Sequence, residues 1–320
     1  MAVNVMREDN RMVLIRCVLA IVALAGGFAH SASAQNYPSR PIRLVVPFPP
    51  GGTADVVARI LAQPVGQALV VDNRAGADGA VAALLVMNAL PDGHTLFLAS
   101  NSPMSAVPTM HRKPPYDPRT DFTSITLIGK FTFFLFVNAA VPARTLAEFV
   151  DYARANPGKL NYGSGNTTAI VSMAQLSLLA KLDMTHVPYK GDAPTTADLI
   201  AGRVQSAFMT PVPAFALAKD GKLRILATLL TTRSALAPDV PTMAEAGMPG
   251  VSVAPWQGLF APAKLPKDIT ARLAREFNAA LRRSRARSFI RGAGTRSATA
   301  SACADRSSGS RNSSRSTSPG

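Results

Sequence analysis

The stretch Arg43-Leu44-Val45-Val46-Pro47-Phe48-Pro49-Pro50-Gly51-Gly52-Thr53-Ala54-Asp55 decides how this chain is read. It belongs to a short apolar run, Ile42 to Val46, of the kind that forms a buried strand. Prolines then stop the ladder, because proline has no backbone N–H to donate. Gly51-Gly52 follow and can take backbone angles that side chains forbid. Thr53 or Asp55 can cap a helix whose apolar positions, Val56, Val57, Ile60 and Leu61, recur at helical spacing. Strand, glycine turn and bare helix N-terminus together make an anion site, with free N–H groups and the positive end of the helix dipole facing a ligand. No Gly-Lys-Ser/Thr follows, so this is not a phosphate-binding P-loop, and a carboxylate suits the shape better. A tight strand–helix turn without a ligand is the alternative reading of the stretch alone.

Moving outward, Ala68 to Val71 reads as a second strand that runs into the glycine turn Asp72 to Gly79 and a helix over Ala80 to Asn88. Thr95 to Ala99 is a third strand, ending in Ser100-Asn101-Ser102. Three strands that each lead to a small polar turn, with helices between, predict parallel βαβ construction. Ligands in such sheets lie beyond the carboxyl ends of the strands, where these turns sit. Ile125 to Ile128 and Phe131 to Val137 are further strands, the second crossing into another domain. Beyond it a helix over Leu146 to Ala155 stops at Pro157-Gly158, and Gly163-Ser164-Gly165-Asn166-Thr167-Thr168 is a third glycine- and hydroxyl-rich loop before a helix over Ile170 to Leu182. Then come a short strand around His186 to Pro188, a helix over Thr195 to Ala201, strands over Gln205 to Met209, Leu223 to Leu229 and Gly258 to Ala261, and a helix over Ile269 to Leu281. The repeat of strand, turn and helix on either side of residue 137 predicts two similar α/β lobes with a ligand between them.

The N-terminus reads as an export signal. Arg7, Arg11 and Arg16 flank an apolar core from Val18 to Ala29, and Ala32-Ser33-Ala34 is an A-x-A cleavage site. The rest of the chain has no run of about 18 apolar residues, which predicts a soluble mature protein in the periplasm. One of the two cysteines, Cys17, leaves with the signal, so Cys303 has no intramolecular disulfide partner. Four scattered histidines, His30, His94, His111 and His186, show no zinc-ligand spacing, and neither metal nor cofactor is expected. The net charge of +15 looks like a nucleic-acid signature until its distribution is considered. Eight of those charges lie in residues 282–320 and one in residues 1–34, leaving a mild +6 for the body.

Six motifs in order carry a resemblance: Tyr37-Pro38-Ser39-Arg40-Pro41-Ile42, the run from Pro47 to Asp55, and Asn73-Arg74-Ala75-Gly76-Ala77, followed by Pro91-Asp92-Gly93-His94-Thr95-Leu96, Asn161-Tyr162-Gly163-Ser164-Gly165 and His186-Val187-Pro188-Tyr189-Lys190-Gly191. The chain resembles the Bug-type receptors of tripartite tricarboxylate transporters over about residues 36 to 283. The resemblance implies an α/β, two-lobed periplasmic-binding-protein fold (type II-like), each lobe a mostly parallel sheet flanked by helices. The implied layout is a signal peptide at 1–34, lobe 1 at 35–137 with 255–283 returning to it, and lobe 2 at 138–254. It implies a non-enzymatic receptor for a small carboxylate such as a dicarboxylate, citrate, an amino acid or an aromatic acid. The ligand would be held by backbone groups, hydroxyls and waters rather than by an arginine clamp. The implied site is Phe48, Gly51, Gly52, Thr53, Asp55, Ala77, Ser100 and Asn101 from one lobe. Ser164, Gly165, Asn166, Thr167, Tyr189, Gly191 and Asp192 come from the other. Membrane subunits of such a transporter are the implied partner, although receptors of this type can lack a dedicated one. The mature protein is expected to be monomeric.

Several residues have rival accounts. Asp55 can cap its helix instead of touching ligand, His186 can be a packed or surface histidine, and Lys190 a solvated side chain. Asp192 would repel a carboxylate ligand unless that ligand also carries a cation, so an Asp192 facing the cleft predicts an amino acid or another zwitterion. Trp256, the only tryptophan, reads as interlobe packing and as a fluorescent reporter of closure. A secreted hydrolase using Ser164 and His186 is the alternative function, weakened because Tyr-Gly-Ser-Gly is not the G-x-S-x-G elbow. A nucleic-acid-binding protein is a third, with its basic residues in the tail and no recognition motif. From Ser284 the pattern of the resemblance breaks. Residues 282–320 hold eleven serines and nine arginines with almost no large apolar side chains, a composition that cannot build a core and reads as a shifted reading frame.

Overall fold

The computed structural model describes residues 37–62, 69–253 and 255–283. The expected signal peptide and the Ser/Arg-rich tail lie outside the described residues.

Ile42–Val46 forms β1 with nearly every side chain buried, as a strand covered on both faces requires. Gly51-Gly52 turn the chain into α1 (Thr53–Ala62), which buries Ala54, Val57, Ala58 and Leu61. Then come β2 (Leu69–Asn73), α2 (Ala80–Met87), β3 (Thr95–Ser100), a π-turn over Ser102–Ala106, the short α3 (Val107–Met110) and β4 (Phe122–Lys130). Residues 131–133 carry the chain across to β5 (Phe134–Asn138). The second half continues with α4 (Leu146–Ala155), β6 (Leu160–Ser164), α5 (Thr167–Ala180), β7 (Met184–Pro188), α6 (Asp192–Ile200), β8 (Ser206–Met209), α7 (Pro211–Lys219) and β9 (Leu223–Thr228). An irregular segment leads back to β10 (Trp256–Pro262) and α8 (Lys267–Arg283).

Two five-stranded sheets result, ordered β2-β1-β3-β10-β4 and β7-β6-β8-β5-β9. Each is parallel except for one strand in the fourth place, β10 in the first and β5 in the second, which runs antiparallel to both neighbours. The two lobes are therefore one topology used twice, and in each the antiparallel strand is the one entered from the other lobe.

The expected lobe boundary after residue 137 differs from the sheets. β5 begins at Phe134 and pairs only within the second sheet, so the crossing lies at 131–133. The apolar run Phe131 to Val137 combines two environments, a crossing segment and a buried strand, and composition alone does not separate them. The two crossings are bonded to what they pass. Phe131 N donates to Pro255 O at 2.9 Å, and Leu229 N donates to Phe133 O at 2.9 Å. One apolar cluster runs from Leu44 and Leu96 through Phe131 and Phe133 to Phe208, so the junction is packed rather than loose.

Candidate functional site: the cleft between the lobes

Both sheets send the carboxyl ends of their parallel strands toward a common cleft. Its walls are Phe48, Gly52, Thr53, Ser100 and Asn101 from the first lobe and Asn166, Thr168, Asp192 and Thr210 from the second. Phe131, Phe133, Trp256 and Gln257, on or beside the crossings, close the back. Four helices of nine or more residues present their N-termini here. α1 begins at Thr53, Asn166 caps α5, α6 begins at Asp192, and Thr210 stands at the N-cap position of α7, whose Pro211 and Pro213 have no N–H to offer. First-turn N–H groups have no intrahelical acceptor, and the summed dipoles favour negative charge. No lysine, arginine or histidine lines the cleft among the described residues, so an anion placed there would be met by backbone and hydroxyl groups.

Several polar groups are held without partners. Thr53 is buried and its Oγ1 has no hydrogen-bond partner among the described residues, nor does Gln257 Oε1. Buried groups of this kind normally find one, and in a cleft wall a ligand can supply it.

Among the described residues Asp192 is the single ionisable one on the cleft lining. Its Oδ1 accepts from Asn166 Nδ2 at 3.0 Å, and its Oδ2 accepts from Thr210 N at 3.0 Å and Thr210 Oγ1 at 2.5 Å. One carboxylate thus ties the starts of α5, α6 and α7 together. Burial pushes its pKa above the usual carboxylate range, and the hydrogen bonds from Thr210 and Asn166 oppose that only in part.

A second chamber adjoins the first through Phe48 and Asn166. It is lined by Ala77, Asp78, Ser164, Gly165, Tyr189 and Lys190 among others. Its floor is a strained turn in which Gly76, Ala77, Asp78 and Gly79 all have positive φ (143°, 45°, 51° and 93°). For Ala77 and Asp78 that conformation is costly and is the kind stored at ligand sites. Ser164 Oγ lies 2.5 Å from His186 Nε2, and the Tyr162 ring stacks on His186 at 5.0 Å. Burial lowers the His186 pKa, with Asp78 of the other lobe pulling the opposite way. The hydrolase alternative needs a carboxylate to orient this histidine, and among the described residues none is hydrogen-bonded to it.

The lobes touch across the cleft. Asn101 Nδ2 donates to Thr168 Oγ1 at 2.8 Å. Gly191, at φ +135°, lies so close to Pro49 that a Cβ there would stand 2.7 Å from the proline Cδ.

Of the residues expected in the site, Gly51, Asp55, Thr167 and Gly191 line neither chamber. Asp55 turns its Oδ2 back to Gly51 N (3.1 Å) and Arg59 Nε (3.0 Å), which closes the first loop from beneath. Burial works against its charge, but these hydrogen bonds prevail and hold its pKa below the ordinary value. Thr167 is buried, with its Oγ1 unpartnered among the described residues. Sequence reading missed Thr210, Phe131, Phe133 and Gln257. Thr210 carried a signal, a threonine directly before a proline at a helix start. The others reach the cleft only because the chain crosses there.

Comparison with known proteins places this geometry. Residues 53–304 match the model of the tripartite tricarboxylate transporter family receptor. A protein encoded in the tcbD–tcbE intergenic region of Pseudomonas sp. (strain P51) is 38% identical over 278 residues, 83% of this chain and 82% of that one. MatC from Rhodopseudomonas palustris, solved with bound malate, is 34% identical with a TM-score of 0.72, over 80% of this chain and 87% of that one. The periplasmic binding protein BugD is 30% identical with a TM-score of 0.73, over 76% and 83%.

Proposed function

We propose, from the premise that this chain belongs to the tripartite tricarboxylate transporter receptor family, that it captures a small carboxylate by hinge closure and presents it to the membrane subunits of such a transporter. In this reading lobe 1 comprises the chain up to the 131–133 crossing together with 255–283, and lobe 2 the segment between. The protein works in the periplasm after removal of residues 1–34, and the described residues contain no helix long and apolar enough to cross a membrane. The observation that carries the reading is the convergence of helix N-termini from both lobes on one cleft whose described lining holds no cationic side chain. Thr53, Gly52, Ser100 and Asn101 act from one side and Asn166 and Thr168 from the other. A ligand that touches both walls stabilises the closed form by its differential affinity, which is how binding drives a hinge. The bound malate of MatC supports a small organic acid as the class.

Thermal unfolding of the mature chain from Gln35, against a panel of carboxylates and amino acids, tests the proposal. An acid at a hundredfold excess over its dissociation constant should add about 2.7 kcal/mol to the folded state. A cooperative transition that no acid moves would overturn it. The short Ser164–His186 contact favours one second reading, an acyl hydrolase. Ester turnover that disappears in Ser164→Ala would establish that reading instead.

A further inference from the structure

The cleft is electrically lopsided. On the first lobe's wall stand the start of α1, with first-turn N–H groups that have no acceptor within the helix, and the unpartnered hydroxyl of Thr53. The second lobe also offers helix starts, but Asp192 already occupies them. Its carboxylate takes the side chain of Asn166 and both donors of Thr210. A ligand carboxylate placed there would meet a buried negative charge with no cation among the cleft residues to offset it. Among the described residues Asp192 Oδ1 accepts one hydrogen bond, so it retains capacity for a donor. Much of the remaining lining is aromatic: Phe48, Phe131, Phe133 and Trp256.

Resting on the receptor reading, we infer that the preferred ligand is dipolar. It is an amino acid with an aromatic or similarly bulky apolar side chain, its carboxylate at Thr53 and the α1 start and its ammonium at Asp192. A second carboxylate held in the same chamber, as in malate or adipate, would face either Asp192 or the aromatic lining, where no described residue offers a cation, and burying an unpaired charge is expensive. An aromatic body gains from the ring lining through area and edge or offset contacts. Burial holds the Asp192 pKa up, and a ligand ammonium beside it would relieve that pressure.

The test uses Trp256, the only tryptophan, which lies in the cleft wall and reports occupancy by its fluorescence. The mature chain is titrated with L-phenylalanine, with 3-phenylpropanoate, which lacks the amine, and with adipate. The inference expects L-phenylalanine to bind about tenfold or more tightly than 3-phenylpropanoate, since the lost contact is charge-assisted, and adipate to bind weakest. Asp192→Asn should erase the preference for the amine. Should that variant fail to fold, the wild-type comparison of L-phenylalanine with 3-phenylpropanoate decides alone. Equal affinity for the two phenyl ligands, or adipate binding where L-phenylalanine does not, would overturn the inference and leave the receptor reading intact. Failure of all three and of the wider acid panel would overturn the receptor reading itself.

Discussion

Replacing Gly191 by alanine separates closure from folding. In wild type the glycine sits against Pro49 of the other lobe, and an added Cβ would stand 2.7 Å from Cδ and 3.1 Å from Cγ. Carbon atoms at 2.7 Å are well inside contact, and an overpacked interior contact of this kind typically costs about 1–3 kcal/mol. In a fixed core that cost would appear as lost stability. In the proposed hinge the lobes part, so the clash would fall on the closed form alone and lower apparent affinity by about 5- to 150-fold. A separate cost, the φ of +135° imposed on a side-chain residue, acts on open and closed forms alike and lowers the thermal midpoint of the free protein. Titration calorimetry with the acid that most raises the thermal midpoint measures the first effect, and unfolding without ligand the second. The double variant Gly191→Ala with Pro49→Ala removes the proline carbons that clash and should recover most of the affinity while keeping the lower midpoint. Wild-type affinity in Gly191→Ala, or no recovery in the double variant, would refute the closing contact.

Two further outcomes follow from the cleft. Asn101→Ala removes the hydrogen bond to Thr168 that joins the lobes, and should weaken ligand binding by about two- to tenfold, from about 0.5–1.5 kcal/mol, with little change in the unliganded midpoint by calorimetry. His186 has its pKa held below the ordinary 6.5 by burial, partly opposed by Asp78, so just below pH 6.5 the unfolded chain binds the extra proton. Acidification through that window should cost the wild type stability that His186→Gln does not lose, and parallel midpoint-versus-pH curves for the two proteins would contradict this.

Much of the architecture was legible because single positions carried it. The limits of β1 are those of its apolar run, and α4 has the expected span from Leu146 to Ala155 before Pro157-Gly158, its start capped by Thr145, whose hydroxyl accepts from Glu148 N. α7 escaped, since its prolines at 211 and 213 and its lack of charge before Lys219 give no amphipathic stripe. The antiparallel course of β5 and β10 left no local trace either, because pairing direction is settled by what the chain does between strands. The polar part of the cleft was visible as glycine and hydroxyl turns before helices. Its aromatic back wall was legible only at Trp256, read as interlobe packing, since Phe131 and Phe133 read equally well as core.

The placement of β10 also bears on the order in which the protein assembles. The second sheet draws on residues 134–228 without interruption, so it can form as soon as that segment is available. The first sheet cannot. β4 pairs only with β10, and β10 also closes the flank of β3, a strand that ends at residue 100. Until residue 262 is available, the chain that was made first waits with two strand edges bare, and bare edges invite the wrong partner. The lobe begun first is therefore the lobe finished last, and a chain shortened before β10 would keep its second half folded and its first half open.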